Sequence, residues 1–131
     1  MRFAVVRGRG EAGSAVGDFV LVSVLVSVLF LAVFQVGLAL YVRNTLISCA
    51  SEGARLGARA DAVPGQGVSR TEALISSSLS PRYARQVTGR ETVVAGVRVV
   101  EVRVVAPIPV LGLLGPDDRL DVVGRAFLET Q

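Results

Sequence analysis

From Phe19 to Val42 the chain reads FVLVSVLVSVLFLAVFQVGLALYV, twenty-four residues without a charge and with Gln35 as the only amide. As a helix this run is about 36 Å long, enough to cross a hydrocarbon core of about 30 Å with some tilt. A buried core helix is the other structure such a run could form, but core helices rarely go so long without a charge. A secretory signal peptide would have an apolar region of about 7 to 15 residues closely followed by a small-x-small cleavage site. The only candidate site downstream, Ala58-Arg59-Ala60, lies well beyond the run. The sequence therefore predicts a retained anchor that spans the lipid bilayer once, over about residues 19–42.

What remains of the 131 residues is enough for one small domain. The net charge is +3, and all 14 basic residues are arginines, scattered along the chain at positions such as Arg70, Arg82, Arg85, Arg90, Arg98 and Arg103. Nucleic-acid binding asks for a clustered basic patch, preferably with stacking aromatics. With two Tyr, five Phe and no Trp, the chain has a solvated basic surface instead, and no nucleic-acid partner is expected. The single cysteine, Cys49, cannot form an internal disulfide; it reads as a small apolar residue on a helix, the alternative being an intermolecular bridge or a lipidation site near the membrane. No histidine is present, which removes the usual general base and the commonest metal ligand. Asp117-Asp118 beside Pro116 is the best acid pair, and adjacent aspartates in a loop are usually turn formers. The expectation is a non-enzyme without cofactor or metal.

Residues 1–13 form a short basic leader with Arg2, Arg7 and Arg9, and the eighteen residues after Val42 hold three more arginines, so charge alone does not orient the span. The helical pattern continues past the apolar run to Asp61 without a proline. Ala50, Gly53, Ala54 and Gly57, with Ala58, give this continuation a narrow face on which another backbone can approach closely. One continuous rod is expected over residues 14–61, membrane span and stalk together. Pro64-Gly65-Gln66-Gly67 should end it and open a loop.

Ser69-Arg70-Thr71-Glu72 fits a capping box, so a short helix is expected from there to about Ser78, closed by Pro81. After the polar stretch Arg82 to Glu91 the period changes. The segments TVVAG and VRVVEVRVVAPIPV are rich in valine, and Arg98, Glu101 and Arg103 interrupt them. They read as strands with one face wet, with a bulge near Val99-Val100 where the alternation slips. Leu111 to Asp118 reads as a loop, and Leu120 to Glu129 as a last strand. The fold class expected is α+β: a long N-terminal transmembrane helix continued as a stalk, then a small module over residues 62–131 with an antiparallel sheet.

Ahead of the span stands GSAVGDF, Gly13 to Phe19. An acid beside hydrocarbon is costly unless something uses it. Counted from Ser14, Asp18 is fifth, and Gly, four mixed residues, an acid, an aromatic and an uncharged helix together resemble the start of type IV prepilins. Downstream, GLALYVRNTLISCASEGARLGAR, Gly37 to Arg59, resembles TadE/TadG-like proteins, minor pilin-like components of tight-adherence (Flp) pilus systems. Arg43, Leu46, Ala50 and Glu52-Gly53-Ala54-Arg55 carry that resemblance most specifically. The family usually has Glu where this chain has Asp18, and commonly a proline where it has Ser23-Val24.

The resemblance implies a pilin-like fold and cleavage between Gly13 and Ser14 by a prepilin peptidase. It also implies a cytoplasmic N-terminus, a C-terminal module outside the cell membrane, and partners among other pilin-like subunits and the pilus assembly platform. Asp18 would then pair with the amino group that cleavage frees on a neighbouring subunit, with Phe19 beside it at the assembly site. A simpler role for Asp18 is capping the amides of a helix start. The alternative for the whole chain is a single-pass membrane-anchored binding protein that belongs to no filament.

Overall fold

The computed structural model describes residues 11–109 and 119–129. The chain divides into two compact units, Met1–Val36 and Gly37–Gln131. The described part of the first unit is entirely helical and belongs to α1, which runs from Glu11 to Gly57. No proline interrupts α1, and its serines do not compete with its ladder. Ser23 Oγ donates to the Phe19 carbonyl and Ser27 Oγ to the Ser23 carbonyl, each at 2.7 Å. Both hydroxyls are thus satisfied inside the helix. From Val16 to Val36 the large apolar side chains stand open, Phe19 at 73% exposure and Phe30 at 71%. α1 is long and apolar enough to cross a membrane.

The second unit is an α+β module built on the C-terminal part of α1. After α1 come α2, Gln66–Ser78, a 3-10 turn at Pro81–Ala84, and three strands, β1 Val87–Val94, β2 Val97–Pro107 and β3 Arg119–Phe127. They form one antiparallel sheet in the order β1-β2-β3. Ala95 and Gly96, with φ of 50° and 80°, make the two-residue turn between Val94 and Val97. Two successive positive φ values give a turn whose twist matches that of the strands it joins.

The core lies between the helices and one face of the sheet. Val100, Val102, Val104 and Ala106 alternate along β2 and meet Val42, Leu46, Ala50, Ala54 and Ala58 of α1, with Val122, Ile75 and Tyr83 completing the cluster. α1 presents Val42, Leu46, Ala50 and Ala54 at steps of four and is buried along that line, with Leu46, Ala50 and Ala54 at 0% exposure. Its last turn is tied to the far end of the chain, where the Glu129 N–H donates to the Ala58 carbonyl at 2.9 Å. That bond satisfies one of the carbonyls a helix end leaves open.

Four expectations for element boundaries and strand pairing differ from the structure. α1 ends at Gly57 as an α-helix, and residues 58–61 form turns rather than the end of the rod. α2 begins at Gln66, before the expected capping box, with Gly65 at φ 83° and no side-chain cap. Ser69 therefore lies in the first turn, its N–H donating to the Gly65 carbonyl, while the Gln66 side chain accepts from the Val63 N–H at 3.1 Å. β1 begins at Val87, inside the stretch read as polar. Finally, β2 pairs without a bulge: Val99 and Val100 each have one partner on both neighbouring strands. The hydrophobic alternation slips there because β2 is buried on both faces from Val99 to Val102. The leader's first ten residues and the Leu111 to Asp118 loop, with Asp117-Asp118, lie outside the described residues.

Candidate functional site

The residues singled out for processing and assembly lie near the start of α1. Gly13, Ser14, Asp18 and Phe19 are all exposed helical residues. Ser14 and Asp18 are one turn apart on the same helix face, because positions i and i+4 stack along a helix. Asp18 does not cap a helix start: α1 begins at Glu11, so helix lies on both sides of the carboxylate and its neighbouring amides are already inside the ladder. A Cβ added at Gly13 or Gly17 would meet nothing within 4 Å. The packing of this chain therefore does not demand glycine at either position.

The small residues of the helix face have partners on both neighbouring layers. A Cβ on Gly53 would overlap the Thr71 hydroxyl and stand 2.5 Å from the Gly67 carbonyl oxygen. Reciprocally, a Cβ on Gly67 would stand 2.6 Å from the Gly53 carbonyl oxygen, so α1 and α2 approach backbone to backbone here. Thr71 closes the contact: it is fully buried and donates to the Gly67 carbonyl at 2.8 Å. Its hydroxyl also lies 3.4 Å from the Cys49 carbonyl of α1. Gly57 is less tight, with Gly67 Cα and a Val100 methyl at 3.4 Å from a would-be Cβ.

Toward the sheet, Gly124 of β3 lies under Ala50, and a Cβ on it would overlap the Ala50 and Ser51 backbone. Gly124 and Gly89 both pair with Val102, so a single row across the sheet reads Gly, Val, Gly. Gly89 sits beneath Val68 of α2, whose methyl would be 2.8 Å from its Cβ. The row is a shallow seat into which both helices settle. Gly67, Thr71, Gly89 and Gly124 escaped the sequence reading. A glycine inside a strand is the signal that marks such an approach, and Gly124 within the last strand carried it.

Cys49 is buried, and burial pushes its thiol pKa above the ordinary value. The motif residues Arg43, Glu52 and Arg55 are exposed. Glu52 and Arg55 line a groove with Arg59 of α1 and with Arg125, Phe127 and Glu129 at the end of the chain. Charges of both signs surround the exposed Phe127 ring there. Such a surface suits a protein neighbour and is poorly enclosed for a small molecule.

The far face of the sheet holds a buried acid. Glu101 was expected on a wet face, yet it is only 3% exposed. Arg90 of β1 donates to its Oε1 at 2.7 Å and Arg125 of β3 to its Oε2 at 2.7 Å. These arginines are its register partners on the two flanking strands. The hydrogen bonds from Arg125 and then Arg90 hold the Glu101 carboxyl below its ordinary pKa. Arg103 and Asp121 form a second, bidentate pair nearby.

Residues 13–55 match the family model of TadE-like proteins. The match opens on Gly13 and closes on Arg55. It thus covers the TadE-like segment's open apolar helix together with its buried Ala and Gly face, and leaves α2 and the sheet outside. No curated protein and no solved structure matches the chain.

Proposed function

We propose that this chain is a pilin-like structural subunit of a tight-adherence pilus system. The TadE-like match over residues 13–55 carries the reading. In this reading α1 anchors the chain in the cell membrane through residues 19–42, the leader faces the cytoplasm, and the chain from Arg43 onward is extracytoplasmic. The match begins at the residue after which a prepilin peptidase would cut. Glycine at position 13 has no packing partner in the chain itself, so its backbone is open to the close approach a peptidase would need.

Cleavage would free an amino group on Ser14. Asp18 of an adjacent subunit then has a cationic partner where the dielectric is low, which offsets the cost of placing a carboxylate at the start of the span. The groove around Phe127 and the exposed Glu52 and Arg55 are the module's surface for neighbouring subunits.

The deciding experiment is the mass and N-terminal sequence of the protein extracted from membranes of a strain that assembles the pilus. A mature chain that begins at Ser14 supports the reading. A chain that retains residues 1–13 overturns processing and leaves a membrane-anchored binding protein in its place. A reporter fused after Gln131 that is active only in the cytoplasm overturns the orientation.

A further inference from the structure

Where the uncharged run of α1 ends, the module carries a groove of about 390 Å³. Leu38 and Val42, from the last two turns of the run, line it with Leu79, and so do Tyr41, Tyr83 and Arg82, beside Ser80 and Pro109. Arg82 is held in place. Its guanidinium donates to the Tyr83 hydroxyl at 2.6 Å and stacks over the Tyr83 ring with the central carbon 4.7 Å from the centroid. The Tyr83 ring is itself buried, so the cation is fixed by the core. The hydrogen bond uses one of five N–H donors on the guanidinium.

Among the described residues, the two helical segments that line this groove carry charge of one sign. Residues 37–51 contain Arg43 and no acid, and residues 73–90 contain Arg82, Arg85 and Arg90 and no acid. Tyr41 stands 58% exposed at the end of the run. Tyrosine and arginine at the end of a span are the residues that settle at the headgroup level, with apolar bodies toward the chains and polar tips in the phosphate layer.

We propose that this groove seats the headgroup of an anionic phospholipid, its phosphodiester on Arg82 and the start of its acyl chains along Leu38, Val42 and Leu79. The occupant follows from continuity. The groove is lined in part by the end of the segment assigned above to the bilayer, so the inference rests on that span, and lipid is the first molecule the groove meets. The geometry favours a phosphate, because a fixed guanidinium fork matches its oxygens. The seat would fix the height of the module above the membrane and the rotation of α1 about its axis.

The test uses the full chain reconstituted in vesicles of equal parts phosphatidylcholine and phosphatidylglycerol. The protein is then released in mild detergent and its retained lipids are counted by native mass spectrometry. Retained phosphatidylglycerol should exceed phosphatidylcholine by about fivefold, the worth of one arginine near an anionic surface. Arg82→Gln should abolish the preference, Tyr83→Phe should weaken it by freeing the guanidinium, and Arg82→Lys should keep most of it. Arg98→Gln, on the far end of β2, should behave as wild type. Circular dichroism checks that each variant is folded, and flotation with the vesicles reports the span separately. Equal retention of the two lipids by wild type, or an unchanged preference in Arg82→Gln, overturns the headgroup seat and leaves the groove to a protein neighbour. If those proteins still float, the anchor stands; wild type that fails to float overturns the anchor as well.

Discussion

Gly124→Ala is the most informative single change in the module. The added methyl would stand 2.5 Å from the Ala50 carbonyl oxygen and closer to the Ala50 and Ser51 backbone atoms. The tightest contacts, to the Ala50 carbonyl carbon and the Ser51 nitrogen, are at 2.3 Å; an unstrained carbon-to-carbon contact is about 3.5 Å, so the strand and helix must part by roughly 1 Å. Nothing can rotate aside, because every atom met belongs to main chain in the middle of a helix. A gap of that size forfeits a quarter to a half of each dispersion contact across it. The contacts at risk are those of Leu46, Ala50, Val102 and Val122.

Overpacking costs about 1 to 3 kcal/mol, and a backbone obstacle puts this case at about 3 kcal/mol. Alanine recovers a little less than 1 kcal/mol of strand propensity. The net loss of about 2 kcal/mol should lower the melting temperature of the module by roughly 8 to 16 °C. Thermal unfolding of the detergent-solubilised protein by circular dichroism measures it, with Gly37→Ala as the control, since a Cβ there meets nothing within 4 Å. A melting point for Gly124→Ala equal to that of the control would refute the argument that the helix seats on this glycine.

Gly13→Leu should leave the leader attached, read as the larger intact mass on membrane extraction, while insertion is unaffected. Asp18→Asn keeps the shape of the side chain and removes its charge; it should insert and be processed but fail to co-purify with partner pilins, whereas Asp18→Glu should be tolerated. Glu101 has a folded pKa held below its ordinary value of about 4.5 by the Arg125 and Arg90 hydrogen bonds. Its contribution is therefore fully present above that value and is lost as pH falls through it toward the folded pKa. Glu101→Gln should cost about 1 to 2 kcal/mol at pH 7, the arginines being more than half exposed and free to rehydrate, and should flatten the fall of melting temperature below pH 5. Cys49 should resist alkylation in the folded protein and react once it is unfolded, since burial both shields the thiol and raises its pKa. Fast labelling in native conditions would contradict the burial.

The sequence alone determined the elements whose causes are local. An uncharged run from Phe19 to Val42 can only be accommodated as a long apolar helix, and the absence of proline carries that helix on to its Ala and Gly face whatever lies beyond. Valine-rich segments on either side of Ala95-Gly96 read as strands, because runs of β-branched residues favour extended backbone without a distant partner, while the two-residue turn between them came only from the structure. The TadE-like character of residues 13–55 was legible for the same reason: it lies in one continuous element.

Tertiary structure decided what depends on partners far apart in sequence. α2 starts at Gln66 because Gly65 takes a positive φ and Gly67 must meet Gly53, so the local capping signal at Ser69 was outweighed by a helix contact. Glu101 is buried because register places an arginine beside it on each flanking strand, which no periodicity along β2 reveals. The same double burial made the alternation look slipped and suggested a bulge where the ladder is regular. The role of Gly89 and Gly124 exists only once β1 and β3 pair with Val102 and two helices come down on that row. A missing side chain matters only when another backbone occupies its place, and that place is set by the fold.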